Sequence, residues 1–222
     1  THIRRWVAQM HSGGRSGRGI ALILSGWRGF YTWLGREALV SHNPVVDVRA
    51  PRVAKPLPKA LGVDEAVQLA DHEESGDDPW LEARDAAMVE LLYGCGLRVA
   101  ELTGLDVVAS ADAARAGRGW IDVPNAEVQV QGKGGKRRSV PLGSAAIAAL
   151  AHWLALRPQV PGMLTQAVPG ASGAALALFP GQRGTRLSAR GVEQRLKRRS
   201  QLAGLATPVH PHMLRHSFAS HV

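Results

Sequence analysis

Arg98 and Glu101 form the first of three short blocks whose residue types suit chemistry on a phosphate group. They lie three residues apart, so they share one face of a helix that we predict to begin at Arg98, after a break at Gly96. A carboxylate in that position can orient the guanidinium, whose remaining donors match two phosphate oxygens. The same spacing also fits an exposed ion pair of little energetic value, so this block alone leaves both interpretations open.

Lys133 stands in the second block, a glycine-rich turn that reads Gly-Lys-Gly-Gly-Lys from residue 132 to residue 136. The flanking residues 127–131 and 138–142 are predicted strands, so this block is a β-hairpin with Lys133 at its tip. A lysine at a hairpin tip can reach into a DNA groove; a flexible turn with solvated charges is the alternative. A nucleotide-binding P-loop is excluded, because that motif requires another glycine spacing and a helix after the turn.

His212 and Arg215 belong to the third block, on a helix predicted to begin with Pro211 in its first turn. Their spacing of three residues places them on one helix face. Several histidines lie close together here and raise the question of a metal site: His210, His212, His216 and His221. The His-Glu-x-x-His pattern of zinc enzymes is absent and no cysteine is near. We therefore expect no metal, and structural histidines are the alternative interpretation.

Together, the three blocks supply two arginines, one lysine and one histidine. Two guanidinium groups can stabilise the added negative charge of a pentavalent phosphate transition state. A lysine can protonate a leaving alkoxide, and a histidine can help to move the proton of the attacking group. The nucleophile is missing from this set, because the only tyrosines, Tyr31 and Tyr93, occupy positions that indicate packing.

A predicted helix that begins after Ser188 and ends at Gly204 carries a high concentration of positive charge. Seven basic residues fall between positions 183 and 199 with Glu193 as the only acid, so acids one turn away cannot neutralise them. A helix along a phosphate backbone or in a major groove explains this excess better than a solvated face does. With the hairpin included, the predicted DNA-contacting residues are Lys136, Arg137, Arg138, Arg186, Arg190, Arg195, Lys197 and Arg198.

The composition of the chain favours the same kind of partner. Among 222 residues, 27 lysines and arginines stand against 18 aspartates and glutamates, and the formal charge of +9 favours nucleic acid first and an anionic membrane surface second. No apolar run approaches the roughly 18 residues of a membrane-spanning helix. Cys95 is the single cysteine, in an apolar stretch where we expect it to be buried, and this usage fits a reducing cytoplasm.

The elements that must position these blocks form two predicted domains. Apolar residues at helical spacing indicate two amphipathic helices within residues 1–48. Residues 49–58 hold three prolines and three basic residues, which is typical of an extended linker. In residues 59–222, helices precede a small antiparallel sheet and further helices follow it. We therefore predict a mainly α, mostly helical α+β fold for this part.

Three segments of the chain resemble the tyrosine site-specific recombinases, the phage integrase family. They are residues 84–105 (RDAAMVELLYGCGLRVAELTGL), residues 130–142 (VQGKGGKRRSVPL) and residues 210–222 (HPHMLRHSFASHV). The segments occur in the order found in the family, and the resemblance covers nearly the whole chain. Residues 28–44 and the linker resemble most the branch of the family that resolves bacterial chromosome dimers at cell division.

The resemblance implies a role for each residue of the three blocks. Arg98 and Arg215 would grip the scissile phosphate, and Glu101 would support Arg98. Lys133 would be the general acid for the 5′-hydroxyl leaving group, and His212 would assist as an acid or base. The energy of the broken bond is kept in a covalent link, so no cofactor is implied, neither a metal nor ATP.

The resemblance also implies parts and partners beyond these blocks. The family's tyrosine, which forms a 3′-phosphotyrosyl link, is expected beyond Val222, so residues 1–222 alone are expected to bind DNA weakly without cutting it. Residues 1–48 would be the last helices of a core-binding domain. The implied partners are a double-stranded DNA recombination site, a paralogous recombinase in a heterotetramer on that DNA, and a DNA translocase as activator. Three alternatives stay open: an integrase of a phage or mobile element, a catalytically inactive DNA-binding relative, and a basic structural or RNA-binding protein.

Overall fold

The computed structural model describes residues 2–52, 60–72, 78–132, 135–161, 163 and 176–221. The chain divides into two compact units, Thr1–Leu57 and Pro58–Val222. Most of the predicted linker, from residue 53 onward, lies outside the described residues. None of the helices in these ranges is both long enough and apolar enough to cross a membrane.

The first unit is built on two amphipathic helices, α1 (His2–Ser12) and α2 (Gly17–Arg36), which confirm the two predicted apolar stripes. Ser16 caps α2, because its side chain accepts a hydrogen bond from the backbone nitrogen of Gly19 at 3.1 Å. Arg28 fixes the chain that follows α2 by donating to two backbone carbonyl groups there. The buried core of the unit consists of Ile3, Val7, Ile20, Leu24, Val45 and Val48.

The second unit contains seven further helices and four strands among its described residues. In chain order they are α3 (Val63–Asp71), α4 (Pro79–Gly94), α5 (Val99–Thr103), β1 (Leu105–Asp106), α6 (Ala111–Arg115), β2 (Gly119–Asp122), β3 (Glu127–Gln131), β4 (Arg137–Pro141), α7 (Ser144–Leu156), α8 (Ala189–Leu202) and α9 (Pro211–His221). A short 3-10 turn, Arg157–Gln159, follows α7. This composition confirms the predicted mainly helical α+β fold.

Helix α4 lies at the centre of the second unit, because apolar residues cover all of its sides. Helices α3, α7 and α9 pack around it. Leu91 and Leu92 of α4 are fully buried, and so is Trp153 of α7, which donates from Nε1 to the carbonyl oxygen of Leu178 at 3.0 Å. This dense packing fixes the C-terminal end of α4, where the candidate site begins.

The sheet has four strands in the order β1-β2-β3-β4. Its antiparallel part consists of β2 and the two predicted hairpin strands, since β2 pairs with β3 and β3 with β4. The sheet as a whole is mixed and not purely antiparallel as predicted. At one edge, β1 pairs in parallel with β2 through Leu105 and Gly119. A strand of two residues has no alternating pattern that the sequence could reveal. Gly119 permits the close pairing, since a Cβ there would lie 2.2 Å from the carbonyl oxygen of Gln129.

Two helix beginnings matter for the site. Ser188 caps α8 as predicted, because its side chain accepts a hydrogen bond from the backbone nitrogen of Gly191 at 3.1 Å. Arg98 is the N-cap of α5 and not its first residue, so its backbone is extended while the helix begins at Val99.

Candidate active site

A tight turn after α4 brings the first and third sequence blocks together. Gly96 has a φ of +57°, a left-handed conformation that glycine adopts without steric cost. A Cβ at this position would lie 2.4 Å from Cδ1 of Phe218 on α9, so only glycine allows α9 to approach the turn this closely. Nη1 of Arg215, also on α9, donates a hydrogen bond to the carbonyl oxygen of Gly96. The turn therefore places Arg215 beside the beginning of α5 at Arg98.

Glu101 holds Arg98 by two hydrogen bonds. The backbone nitrogen of Arg98 donates to Oε2 of Glu101 at 2.9 Å, and its Nη1 donates to Oε1 at 2.9 Å. The Glu101 side chain is only 6% exposed, whereas that of Arg98 is 51% exposed. The structure thus brings together the pair that the spacing suggests, with the carboxylate inside and the guanidinium at the surface.

Arg138 shares the same carboxylate, which the sequence did not indicate. It lies on β4, and its Nη1 and Nη2 donate to Oε1 and Oε2 of Glu101, each at 2.9 Å. Burial alone would raise the pKa of Glu101, but the hydrogen bonds from Arg138 and Arg98 outweigh burial and lower the pKa to about 2. Glu101 is therefore ionised at neutral pH and joins the hairpin to α5.

Arg98, Arg138 and Arg215 form an arginine cluster around Glu101. Burial lowers the pKa of Arg215, and the positive charges of Arg98 and Arg138 lower it further, against the opposing effect of Glu101. Arg215 therefore lies close enough to Arg98 and Arg138 for their positive charges to act on it. One carboxylate among three guanidinium groups leaves a net charge of +2, which suits the binding of an anion.

His212 lies one turn before Arg215 on α9 and is exposed. The two side chains share a helix face, as their spacing predicts. Because no hydrogen bond to another residue restrains the His212 ring among the described contacts, it is open to a ligand from solvent.

The hairpin turn carries the predicted general acid, but Lys133 lies outside the described residues. Its flanks are ordered by pairing of Gln131 with Arg137 and by a 2.8 Å hydrogen bond from the nitrogen of Gly132 to the carbonyl oxygen of Lys136. Lys136 and Arg137 are exposed, as a DNA contact requires. The Arg137 guanidinium lies 5.2 Å from the ring centre of Trp120, a cation–π contact.

The basic residues of α8 differ in how exposed they are. Arg190, Lys197 and Arg198 are exposed. Arg195 is less exposed, and its Nε donates to the buried carboxylate of Asp85 on α4. This pairing gives Arg195 a part in the fold, and its predicted DNA contact stays a prediction.

Arg186 is paired in a similar way, and its predicted DNA contact also stays a prediction. Its guanidinium donates to the fully buried carboxylate of Asp106 and to the carbonyl oxygens of Thr103 and Leu105, the latter two at 3.0 Å and 2.8 Å. Sequence reasoning overlooked Asp106 and its counterpart Asp85 because they lie far along the chain from their arginines. The available signal was an acidic residue inside an otherwise apolar stretch, as in Leu105-Asp106-Val107.

The other candidate nucleophiles, Cys95, Tyr93 and Tyr31, make no hydrogen bond or ion pair with the arginine cluster among the described contacts. Burial and the nearby Glu90 raise the pKa of the Cys95 thiol to about 11, so it stays protonated. The hydroxyl of Tyr93 lies 3.1 Å from Nδ1 of His221, and Tyr31 packs against the core of the first unit. Within the described ranges, no group of three or more histidine, cysteine or acidic residues is arranged to hold a metal ion.

Comparison with known proteins agrees with this geometry. The model of the phage integrase family matches residues 59–222, so the chain belongs to this family, as its sequence blocks predict. Along its whole length it is 52% identical to a protein named tyrosine recombinase XerC 1 from Ralstonia nicotianae. It is 42% identical, over 99% of its length, to a protein named tyrosine recombinase XerC from Alcanivorax borkumensis. The chain spans 65% of the length of each of these two relatives.

Solved structures of similar proteins establish the fold. The crystal structure of XerA recombinase aligns with 99% of the chain at a TM-score of 0.57 and 24% identity, over 67% of its own length. The Tn1549 transposon integrase in complex with transposon right end DNA aligns with 99% of the chain at a TM-score of 0.68 and 20% identity, over 70% of its length. A lambda integrase dimer bound to a core site aligns with 98% of the chain at a TM-score of 0.64 and 19% identity, over 71% of its own length.

Proposed function

We propose that the protein containing this chain is a site-specific tyrosine recombinase, which cuts and rejoins DNA through a 3′-phosphotyrosyl intermediate. The observation that carries this proposal is the arginine cluster around Glu101 at the beginning of α5. Its net charge of +2 suits a phosphodiester that gains negative charge in its transition state. Membership of the phage integrase family supports the same conclusion.

In the proposed reaction, Arg98 and Arg215 bind the non-bridging oxygens of the scissile phosphate. A tyrosine oxygen attacks phosphorus while the bond from phosphorus to the 5′ oxygen breaks. Lys133 donates a proton to the leaving oxygen, and His212 helps to move the proton of the attacking hydroxyl. Attack by a 5′-hydroxyl on the phosphotyrosine reverses these steps, so rejoining consumes neither ATP nor a metal.

The attacking tyrosine is proposed to lie beyond Val222. Tyr93 is engaged with His221, and Tyr31 belongs to the packing of the first unit. Residues 1–222 alone are therefore proposed to bind DNA without cutting it. Within them, residues 59–222 are proposed as catalytic domain, 49–58 as linker, and 1–48 as part of a core-binding domain.

Exposed basic residues of α8 and of the hairpin are proposed to contact the DNA. Their exposure and the low number of acids nearby support this role, since phosphate contacts require accessible cations. The residues concerned are Lys136, Arg137, Arg190, Lys197 and Arg198.

We propose that the biological reaction is resolution of chromosome dimers at cell division, because the similar proteins from Ralstonia and Alcanivorax are named XerC. The protein would act in the cytoplasm, on a double-stranded site, in a heterotetramer with a paralogous recombinase and with a DNA translocase as activator. A second candidate is integration of a mobile element, which the fold likeness to transposon and lambda integrases favours. Deletion of the gene separates the two: chromosome dimers accumulate in the first case and not in the second.

Covalent capture on nicked DNA tests the proposed chemistry. The complete gene product is incubated with a duplex that carries a candidate site and a nick near the cleavage point, so that the short cut strand leaves and rejoining stops. We expect an adduct that resists denaturant, a tyrosine joined to the 3′ phosphate, and a free 5′-hydroxyl on the released strand. A free 3′-phosphate, or a link to another residue type, would contradict the proposal.

A further inference from the structure

We propose that Arg138 is a third arginine that contacts the scissile phosphate, and that Glu101 is the carboxylate that positions it beside Arg98. This inference rests on the proposed recombinase function and adds one residue to its reacting centre. The sequence blocks assign Arg138 only to the DNA-contacting surface. The structure instead places it in the arginine cluster.

The first observation is that two arginines from distant elements meet on one carboxylate. Arg138 lies on β4 and Arg98 precedes α5, and both Nη1 atoms donate to the same oxygen, Oε1 of Glu101, at 2.9 Å each. Arg138 adds a second bond from Nη2 to Oε2 at 2.9 Å. The paired contact fixes the plane of the Arg138 guanidinium and not only its charge. Such orientation is what an arginine needs in order to present its remaining donors to an anion.

The second observation concerns the donors that the bridge leaves unused. A guanidinium carries five N–H donors; Arg138 uses two at Glu101, and Arg98 uses one with its side chain. The Glu101 side chain is 6% exposed, while that of Arg138 is 38% exposed. The carboxylate therefore lies beneath the two guanidinium groups. Both arginine side chains remain accessible, which leaves their unused donors within reach of a phosphate from solvent.

The third observation is the charge balance of the cluster. The positive charges of Arg98 and Arg138 both act on Arg215, and one carboxylate offsets only one of the three charges. Repulsion among the remaining charges disfavours this arrangement unless an anion binds. A phosphodiester carries one negative charge, and the pentavalent transition state carries two. The net charge of +2 therefore matches the transition state and stabilises it more than the ground state.

The experiment compares two DNA substrates and a matched pair of variants of the complete gene product. One substrate is natural, and the other carries an uncharged methylphosphonate at the scissile position, which the covalent capture experiment maps. Arg138→Ala and Arg138→Lys are compared with Arg115→Ala. Arg115 lies on α6 with its side chain 79% exposed, and it belongs neither to the arginine cluster nor to the proposed DNA-contacting residues. Single-turnover cleavage, DNA affinity and thermal unfolding are measured for each protein.

We expect Arg138→Ala to slow cleavage of natural DNA by about 10- to 100-fold, because one donor group to the transition state is lost. The DNA dissociation constant changes by less than about threefold, as for a single contact among many. On the methylphosphonate substrate, we expect Arg138→Ala to cleave no more than about threefold more slowly than the unsubstituted protein. The reason is that the phosphate charge that Arg138 neutralises is absent from this substrate. Arg138→Lys, which keeps the charge without the paired geometry, falls between the unsubstituted protein and Arg138→Ala.

Several outcomes would overturn the inference. If Arg138→Ala slows cleavage of both substrates by the same factor, Arg138 is only a structural bridge. If it lowers DNA affinity and leaves the cleavage rate unchanged, Arg138 contacts a phosphate away from the cleavage point. Cleavage rates of Arg138→Ala equal to those of Arg115→Ala would show that Arg138 takes no part in the reaction. If Arg138→Ala unfolds, the Arg138→Lys rates on the two substrates decide by the same comparison. If the unsubstituted protein forms no covalent adduct at all, the proposed function itself fails, which is a distinct result.

Discussion

Nη1 of Arg215 donates its hydrogen bond to the carbonyl oxygen of Gly96, two residues before Arg98. This contact joins α9 to the turn that precedes α5, so both proposed phosphate-binding arginines depend on one backbone conformation. The turn has space only for glycine, because the ring of Phe218 occupies the position of a Cβ. The geometry of the arginine cluster is therefore sensitive to the residue at position 96.

We expect Gly96→Ala to lower the free energy of unfolding by about 2–4 kcal/mol, because it adds left-handed strain and a clash with Phe218. Gly94→Ala is the matched control, since a Cβ there would meet only Oε2 of Glu90 at 3.9 Å. The control should keep its stability or gain up to about 1 kcal/mol from higher helix propensity. Urea denaturation measures both variants. Equal stability of the two would show that the turn does not need glycine.

The bridge at Glu101 predicts a specific dependence of stability on pH. The pKa of Glu101 falls from 4.5 to about 2 in the folded protein, so its contribution to stability is fully present above pH 4.5 and is lost as the pH falls towards 2. We expect Glu101→Gln to lower the free energy of unfolding at pH 7 by about 1–3 kcal/mol and to flatten the acid side of the stability curve. Glu193→Gln, at an exposed position on α8, is the control and should leave the curve unchanged. If the free energy of unfolding depended on pH in the same way for Glu101→Gln and the unsubstituted protein, the proposed stabilising role of ionised Glu101 would be wrong.

Two arginines of α8 are expected to respond in opposite ways to substitution. Arg195→Ala removes a partner of the buried Asp85, so we expect a loss of about 1–3 kcal/mol in the free energy of unfolding. Arg190→Ala changes an exposed side chain, so stability should stay within about 0.5 kcal/mol. If both variants lost the same stability, the distinction between paired and exposed arginines would be wrong. Denaturation of each variant decides the matter.

Binding of duplex DNA by residues 1–222 is expected to weaken steeply with salt. Each phosphate contact contributes about 0.9 to the slope of log affinity against log salt concentration. Arg190→Ala and Lys197→Ala should each reduce that slope by up to about 1, because each removes one exposed cation of α8. Fluorescence titrations at several salt concentrations measure the slopes. An affinity for duplex DNA that does not change with salt concentration would exclude α8 as a DNA-contacting face.

The sequence predicts those parts of this molecule that local patterns determine. Period-3.6 stripes predicted α1 and α2, and alternating residues with a glycine-rich turn predicted the hairpin, because these elements bury one face each. The spacing of Arg98 and Glu101 predicted their shared face. Helical periodicity gives the direction of a side chain but not the partner that another element brings to it. For this reason the sequence did not indicate that Arg195 pairs with Asp85 or that Arg186 pairs with Asp106.

The parts that the sequence did not predict come from long-range pairing. The parallel strand β1 has two residues and exists because β2 lies next to it. Arg138 reaches Glu101 across 37 positions of the chain. No pattern in the neighbourhood of either residue indicates this contact, which depends on how the hairpin packs against α5. The composition of the arginine cluster is therefore a property of the tertiary structure.

Arg215→Ala in the complete gene product tests whether the arginine cluster binds the scissile phosphate. Cleavage of nicked DNA and affinity for the same DNA are measured side by side, with Arg190→Ala as a variant that changes a DNA contact outside the cluster. We predict that Arg215→Ala abolishes covalent capture, a loss of at least about 100-fold, while the dissociation constant changes by less than about threefold. Arg190→Ala should weaken binding and keep cleavage at saturating protein. Equal loss of binding and cleavage in Arg215→Ala would contradict the assignment of the arginine cluster to the scissile phosphate.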